Sequence, residues 1–339
     1  MGPPTASSSS CLLWTTPSTG APNPQCKPLG GQSILAALPG VEEFDAVTML
    51  ATKIDGTSMF RDRVPAGNAA AANILATLLA ARAIGRMDES VKKQLRKGIG
   101  VAFFQGEEYG GLGSRAFFND LNSFECADPV TGPNTYDGSD MCLNPLYPSL
   151  SFMNLPPVDS VVAIDQVGVT ESPNFYTHKH ESGKSAALES LFVGTKSGSF
   201  GVVEGGGGGL PPSPVTSFVE AWSGDGEIAG VVLGGYDDAY VGGSYGGMGD
   251  VGGDLATICA AATIAARGVI ADAVVGGGVS AEQAIGIAEG AVGEIVGGGD
   301  EYVEGLYECF FEDGGCEVLR EGVEREKTKS EERLGFAPR

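Results

Sequence analysis

The segment VAFFQGEEYGGLGSRAFFNDL, residues 101–121, decides the fold of this chain. Its apolar, strand-like beginning ends at Gly106, and two acidic residues, Glu107 and Glu108, follow directly. A glycine-rich turn then leads into an amphipathic helix that opens at Gly113. A strand–turn–helix unit of this kind places both carboxylates at the carboxyl end of a sheet strand, where open α/β folds build their binding sites.

Strand-like and helical segments alternate on either side of this unit over the first two-thirds of the chain. The predicted strands are Phe44–Asp55, Gly98–Gln105, Ser160–Gly168 and Glu227–Leu233, and the predicted helices include Asn68–Met87, Lys184–Leu191 and Pro214–Trp222. Such alternation is typical of a sheet built from β-α-β units. The sequence therefore predicts an α/β fold, with a doubly wound, mostly parallel sheet and helices on both faces.

Three regions are predicted along the chain. Residues 1–40 form a segment rich in cysteine, proline and serine, residues 41–300 form the α/β domain, and residues 301–339 form an acidic, charged tail. Within the domain, residues 125–157 are rich in proline and are predicted to be a long loop excursion from the core.

The 339 residues carry a formal net charge of −22. Nucleic acids and anionic membranes bind basic surfaces, so this charge excludes nucleic acid as a partner and indicates a solvated acidic surface. The N-terminal stretch lacks the basic start and unbroken apolar core of a signal peptide. The most apolar long stretch, Leu255–Val279, is interrupted by Arg267 and Asp272, so it is predicted to be a buried helix and not a membrane span.

The chain contains seven cysteines. Three close pairs fall in polar loops, namely Cys11 and Cys26, Cys126 and Cys142, and Cys309 and Cys316. Local pairs of this kind suit disulfides in an oxidising compartment, whereas seven reduced thiols in the cytosol are an equally good interpretation of the same spacing. Cys259 stands alone in an alanine-rich helical segment, where it is predicted to be a buried thiol.

Acidic residues also mark the ends of two other predicted strands. Asp55 closes the first strand, and Asp165 lies near the end of the third. Because the carboxyl ends of parallel strands meet at one edge of a sheet, both are expected to share a site with Glu107 and Glu108. A simpler interpretation is that the glutamates only cap the following helix, whose N-terminus favours negative charge.

The acidic pair followed by Gly-Leu-Gly-Ser resembles the zinc aminopeptidase and glutamate carboxypeptidase family, in which the first Glu is the general base and the second binds metal. That resemblance implies two zinc ions, held by a His-x-Asp, a loop Asp, the second Glu, a later Asp and a final His. Here Glu107, Glu108 and Asp165 match the pattern, but Lys53 stands in place of the first His, and Ala69 or a neighbouring alanine stands in place of the loop Asp.

The final metal-binding histidine also has no counterpart. The two histidines of the chain, His178 and His180, come directly after the third predicted strand and alternate with Lys179 in a polar stretch. They are predicted to face solvent. Because an ammonium group repels zinc and the bridging carboxylate has no substitute, the metal site is predicted to be broken.

This damaged pattern, together with several longer segments, resembles the nicastrin family, whose peptidase domain is degenerate. The segments are CKPLGGQSILAALP (Cys26–Pro39), ATKIDGTSMFRDRVPAGN (Ala51–Asn68), FFQGEEYGGLGSRAF (Phe103–Phe117) and LPPSPVTSFVEAWSGDGEIAGVVL (Leu210–Leu233). Plant-type members look closer than animal ones. Since the signal peptide, N-terminal lobe and membrane helix of the family have no counterpart here, the chain is interpreted as incomplete.

The resemblance implies a non-catalytic substrate-recognition or structural subunit of the γ-secretase intramembrane protease complex. The implied partners are a presenilin-type membrane aspartyl protease, its accessory subunits and the N-termini of substrate proteins, and no metal or cofactor is implied. The implied location is the lumenal or extracellular face of secretory-pathway membranes. The resemblance also favours the disulfides Cys11–Cys26, Cys126–Cys142 and Cys309–Cys316, with Cys259 free.

Five residues are predicted to form the substrate-binding site, namely Lys53, Asp55, Glu107, Glu108 and Asp165. Lys53 is predicted to replace the lost metal charge by pairing with Asp55, Glu108 and Asp165, although a surface lysine is the plainer interpretation. Glu107 is predicted to bind the free amine of a substrate without chemistry. Two other functions stay open: a residual metal-dependent aminopeptidase, for which an all-carboxylate site favours Mg²⁺ or Ca²⁺, and a soluble peptidase-like remnant without a partner.

Overall fold

The structure of the chain is a computed structural model. It describes residues 32–56, 66–123, 129–130, 141–142, 155–206, 209–221, 227–243, 245–247 and 249–312.

A mixed sheet of seven strands forms the centre of the fold. The strands are β1 (Ile34–Ala37), β2 (Val47–Lys53), β3 (Gly98–Phe104), β6 (Val158–Asp165), β7 (Asn174–Lys179), β8 (Gly201–Glu204) and β9 (Ala229–Gly234), and a separate two-stranded ribbon pairs β4 (Pro129–Val130) with β5 (Met141–Cys142). The strand order in the large sheet is β1-β3-β2-β6-β9-β7-β8. The central strands β3, β2, β6 and β9 are parallel to one another, whereas β1 and β7 pair antiparallel with β3 and β9.

Eight α-helices lie in the described part of the chain. They are α1 (Ala72–Gly85), α2 (Glu89–Lys92), α3 (Leu112–Ser123), α4 (Gly183–Val193), α5 (Pro214–Ala221), α6 (Leu255–Val274), α7 (Ala281–Ala291) and α8 (Glu301–Phe311). A single turn of π-helix, Gly67–Ala71, leads into α1. The alternation of strands and helices confirms the predicted doubly wound α/β fold, and the four predicted strands and three predicted helices are all present.

Helices cover both faces of the sheet because neighbouring residues of each buried strand point to opposite sides. Leu50 of β2 belongs to the core that α1, α4, α6, α7 and α8 complete. Its neighbours Met49 and Ala51 belong to a second core beneath α3 and α5. In that second core the rings of Phe104 and Phe218 lie 6.1 Å apart, and burying each contributes roughly 1.5–3 kcal/mol.

The long helix α6 lies inside the first core, which confirms the prediction of a buried helix. By length and composition, Leu255–Val274 and Gly67–Gly85 are the two segments in the described residues apolar enough to cross a membrane, and in the first every residue from Thr257 to Val274 is buried. Both charges that interrupt α6 are paired. Nη1 of Arg267 lies 3.1 Å from Glu294 Oε1, and Asp272 accepts from the ammonium of Lys97 over 3.1 Å.

The folded unit extends past both predicted domain boundaries. Strand β1 pairs with β3 before residue 40, and α8 packs on the core after residue 300, with Val303 and Leu306 buried. The hydroxyl of Tyr307 donates to the carbonyl of Gly253 over 2.8 Å, which ties α8 to the loop before α6. Much of the predicted loop at 125–157 and the end of the predicted tail lie outside the described residues.

Two cysteines have described side chains that test the predicted pairing. Cys259 is buried in α6 and free, and burial raises the pKa of its thiol to about 12. Cys309 is disulfide-bonded. The side chains of its predicted partner Cys316 and of the predicted pairs Cys11–Cys26 and Cys126–Cys142 lie outside those that the structure describes.

Candidate functional site

The candidate site lies where the parallel strands β2, β3 and β6 end. Lys53 is the last residue of β2, and Asp165 is the last residue of β6. Glu107 and Glu108 occupy a single 3₁₀ turn, Glu107–Tyr109, directly after β3. Because β2 is hydrogen-bonded to both neighbours in parallel register, these three strand ends meet at one edge of the sheet.

Lys53 points into this edge and forms two buried ion pairs. Its Nζ lies 2.7 Å from Glu108 Oε1 and 3.3 Å from Asp165 Oδ1. The side chain of Lys53 is 4% exposed, so the plainer interpretation as a surface lysine is wrong. The ammonium also donates to the hydroxyl of Tyr245 and lies 3.8 Å from the centre of the Tyr245 ring.

These contacts keep Lys53 charged despite its burial. Burial alone would lower the pKa of the ammonium, but the carboxylates of Asp165 and Glu108 outweigh it and raise that pKa above the ordinary lysine value. A buried charge is tolerated only when it is paired and hydrogen-bonded, and here each ammonium hydrogen has an acceptor within reach. Lys53 thus supplies the positive charge at this edge of the sheet.

Asp165 is held by a second set of contacts. The hydroxyl of Tyr236 donates to Asp165 Oδ2 over 2.9 Å, and Asn73 Nδ2 lies 3.5 Å from Oδ1. Complete burial raises the pKa of the Asp165 carboxyl, and Lys53 and Tyr236 oppose that rise. Asp165 therefore depends on these partners to stay ionised.

Asp55 does not share the Lys53 ammonium. Its Oδ1 accepts from the backbone N–H groups of Gly106 and Glu107 over 3.1 and 3.0 Å, and its Oδ2 from that of Glu108 over 3.1 Å. No ion pair joins it to Lys53 in the described chain, so the prediction that Lys53 neutralises Asp55 is wrong. The reason is that three backbone donors of the 3₁₀ turn satisfy the carboxylate first.

Glu107 makes its hydrogen bonds with the first turn of helix α3. Its Oε1 accepts from the backbone N–H of Ser114 over 2.8 Å, and its Oε2 accepts from the Ser114 hydroxyl over 2.9 Å. That hydroxyl lies 2.6 Å from the hydroxyl of Ser217 in α5. The contacts agree with the simpler interpretation that Glu107 caps the helix. Burial raises the pKa of the Glu107 carboxyl to about 7.

Three tyrosines from the glycine-rich segment after β9 form an aromatic wall that sequence reasoning missed. Tyr240 stacks on Tyr245 with ring centres 4.1 Å apart, and Tyr236 meets Tyr240 edge to face at 4.8 Å. The run GGYDDAYVGGSYGG carries a visible signal, since its tyrosines recur among glycines at the end of a buried strand. Burial raises the pKa of the Tyr245 phenol, so it remains a neutral donor and acceptor.

Asp250 is a further residue that the sequence did not single out. Its carboxylate accepts from the backbone N–H groups of Asn68 and Ala69 over 2.8 and 2.9 Å and from that of Gly246 over 3.2 Å. It therefore joins the loop that carries Tyr245 to the start of the π-helix. Ala69 stands where the resembled peptidases place their bridging Asp, and Asp250 contacts its backbone from another part of the chain.

His178 is buried, so the prediction that it faces solvent is wrong. The ring is 5% exposed, stacks on Tyr236 with ring centres 5.1 Å apart, and places Nε2 3.1 Å from the carbonyl of Tyr236. The polar surroundings concealed strand β7, which lies between β9 and β8 and buries both Thr177 and His178. His180 is half-buried.

The residues at this edge do not fit a zinc ion. A zinc–oxygen bond is about 2.0–2.2 Å long, and the ammonium of Lys53 holds the Glu108 and Asp165 oxygens at hydrogen-bond distances instead. His178 is turned to Tyr236. No group of three or more potential metal-binding side chains occurs among the described residues.

A cavity of about 280 Å³ adjoins the site. Asp55, Gln105 and Tyr109 line it from the side of the site, and Phe310 lines it from α8, with alanines of the π-helix between them. Lys53 and Glu108 are not part of this lining. The cavity therefore does not open directly onto the buried ion pairs.

The fold and the site together define a class: a doubly wound α/β protein in which a buried lysine stands among the carboxylates at the carboxyl edge of the sheet. A family model described as the nicastrin large lobe matches residues 46–267, more than half of the chain. The chain belongs to the nicastrin family.

Individual relatives support this assignment. The chain is 26% identical over 263 residues to nicastrin of Arabidopsis thaliana and 27% identical over 236 residues to that of Mus musculus, covering 73% and 64% of this chain. These matches span 34% and 29% of the relatives' own lengths. The crystal structure of the γ-secretase component nicastrin superposes with a TM-score of 0.64 at 19% identity, covering 86% of this chain and 48% of that one.

Proposed function

We propose that this chain is a non-catalytic substrate-recognition or structural subunit of a γ-secretase intramembrane protease complex. The observation that carries the proposal is the position of Lys53, whose ammonium pairs with Glu108 and Asp165 where a peptidase of this fold needs a metal ion. A peptidase of this class draws its nucleophile from metal-bound water. A lysine in that place supports a non-catalytic role, because its ammonium competes with a metal ion for Glu108 and Asp165.

Glu107 also lacks the setting of a general base. In a working enzyme its carboxylate would take a proton from the metal-bound water, whereas here both of its oxygens accept hydrogen bonds from Ser114. This arrangement supports a role in holding α3 against the sheet and in presenting one carboxylate at the rim of the site. A second function, a residual aminopeptidase that uses Asp55, Glu108 and Asp165, is disfavoured because Asp55 is taken by backbone donors.

The proposed partners are a presenilin-type membrane aspartyl protease and its accessory subunits, at the lumenal or extracellular face of secretory-pathway membranes. Membership of the nicastrin family supports this placement. Because the chain spans only part of the length of its relatives, these partners remain a proposal.

Within this function we propose that Glu107 receives the free amine of a substrate N-terminus. In the described residues no cation lies within ion-pair distance of Glu107, whereas Glu108 and Asp165 already hold Lys53. An ammonium placed against a partly buried carboxylate makes a charge-assisted hydrogen bond worth about 1.5–3 kcal/mol. Such a contact favours substrates with short ectodomains, whose new N-terminus lies close to the membrane.

The experiment that tests the subunit proposal is co-purification from the native source. Antibody against this chain should recover a multi-spanning aspartyl protease of the presenilin type in detergent that preserves membrane complexes. Recovery of the chain alone, from both membrane and soluble fractions, would instead support a soluble remnant without a partner.

A further inference from the structure

The contacts around the Lys53 ammonium are those of a complete binding site for a primary ammonium group. Three oxygens surround Nζ: Glu108 Oε1 at 2.7 Å, Asp165 Oδ1 at 3.3 Å, and the hydroxyl of Tyr245. A primary ammonium has three hydrogens to donate, so three acceptors match it. The Tyr245 ring closes the remaining side at 3.8 Å, in a cation–π contact.

The acceptors are themselves held from outside the cluster. Asp165 Oδ2 accepts from Tyr236, which leaves Oδ1 toward the ammonium. Tyr245 stacks on Tyr240, and the loop that carries it is joined through Asp250 to the start of the π-helix. The cage formed by Glu108, Asp165 and Tyr245 therefore does not depend on Lys53 alone. Asp165 and Tyr245 keep their contacts with Tyr236, Tyr240 and the Asp250 loop when the lysine side chain is removed.

We propose that Glu108, Asp165 and Tyr245 form a primary-ammonium site whose resident ligand is the chain's own Lys53. The side chain acts as an internal occupant that excludes both a metal ion and the amine of a peptide from these two carboxylates. A substrate amine must then be bound outside the cage. This inference goes beyond the subunit proposal and does not depend on it, because it concerns the isolated chain.

The test is chemical rescue of the Lys53→Ala variant with propylammonium. This substitution removes three carbons and the nitrogen, which are the atoms of propylammonium. The midpoint of thermal unfolding is measured against propylammonium concentration, with tetramethylammonium and sodium as cations that carry no N–H donors. We expect propylammonium to raise the midpoint of Lys53→Ala by several degrees more than either cation does, and to leave the parent chain at the level of sodium. If Lys53→Ala does not fold alone, the fraction folded is measured instead, with the same expectation.

Two further variants locate the effect. Lys97→Ala removes the same atoms from another lysine that pairs with two carboxylates, Asp159 at 2.7 Å and Asp272 at 3.1 Å, but whose side chain is 19% exposed. It should show no gain from propylammonium over sodium, because water already reaches the vacated position. Adding Tyr245→Ala to Lys53→Ala should abolish most of the rescue. Equal responses of Lys53→Ala to propylammonium and tetramethylammonium, or equal rescue of Lys97→Ala, would overturn the assignment of a specific ammonium site.

Discussion

The ammonium of Lys53 lies 2.7 Å from the carboxylate of Glu108, and both groups are buried at the carboxyl edge of the sheet. Because one lysine contacts both Glu108 and Asp165, it joins β2 to the ends of β3 and β6. The ammonium thereby supplies positive charge to a strand edge whose carboxylates would otherwise repel one another.

Replacing Lys53 with Ala should therefore destabilise the fold in a pH-dependent way. Breaking a buried ion pair by removing one partner costs about 3–5 kcal/mol, because the other charge is left buried. The pKa of Lys53 is raised, so the ammonium itself stays charged throughout the acidic and neutral range. In the variant, Asp165, whose pKa burial raises, can escape the cost in acid by protonation.

Urea unfolding at about pH 4.5 and about pH 7.5 measures this difference. The loss of stability in Lys53→Ala should be larger at the higher pH. Lys92→Ala, which removes an exposed lysine paired with Glu89, serves as the control and should change stability little at either pH. Equal losses for Lys53→Ala at both values would show that uncompensated carboxylates are not the cause.

Glu107→Gln should gain stability relative to the parent as pH rises. The pKa of Glu107 is raised from 4.5 to about 7, so the folded chain prefers the protonated form and pays to ionise it. The parent thus loses stability between about pH 4.5 and pH 7 and levels off above, whereas the glutamine does not titrate. The difference in the free energy of unfolding between Glu107→Gln and the parent should change by at most about 3 kcal/mol over this pH range. A gap that stays constant from acid to neutral pH would contradict the burial of this carboxyl.

Recognition of a substrate amine by Glu107 predicts a preference between two peptides that differ only in their N-terminus. The parent should bind a peptide with a free N-terminus more tightly than its acetylated form, by roughly tenfold if the contact is worth about 1.4 kcal/mol. Glu107→Gln keeps the shape and should lose the preference. Fluorescence anisotropy measures both, and a full preference retained by the glutamine variant would rule out this role.

The sequence was sufficient to predict the four central parallel strands of the sheet and the convergence of their acidic ends, because both depend on local patterns. Apolar runs of strand length predicted β2, β3, β6 and β9. Parallel pairing then predicted that the acidic residues at the ends of β2, β3 and β6 lie at one edge of the sheet. The partner of each acid could not be predicted in this way. Asp55 and Lys53 are two residues apart, yet Asp55 meets the backbone of the 3₁₀ turn and Lys53 meets Glu108.

The aromatic wall and strand β7 were missed for a related reason. Tyr245 reaches Lys53 across 192 positions of sequence, and only the tertiary fold brings the glycine-rich loop over the strand ends. Strand β7 is short and its sequence is mostly polar, so His178 gave no sign of being buried. Contacts between distant loops are set by packing, which local patterns do not record.

Asp250 is predicted to position the aromatic wall over Lys53. Asp250→Ala removes the acceptor for Asn68, Ala69 and Gly246 and should cost about 1.5–3 kcal/mol. It should also expose Lys53 to acylating reagents. Asp254→Ala removes a comparable cap at the start of α6 and should cost about 1 kcal/mol without changing the labelling of Lys53. Mass spectrometry of labelled lysines distinguishes the two, and identical Lys53 labelling in both variants would contradict the positioning role.

Lys53 is proposed to stand where a peptidase of this fold needs a catalytic metal ion. Metal analysis combined with a hydrolysis assay distinguishes a chain that binds such an ion from one that does not. The purified chain is incubated with zinc, dialysed, and analysed for bound metal by mass spectrometry, while release of the N-terminal residue from a free peptide is followed with and without chelator. We expect the chain to hold no stoichiometric zinc and to release no N-terminal residue from the peptide in a chelator-sensitive way. One bound zinc ion per chain, together with hydrolysis that a chelator abolishes, would contradict it.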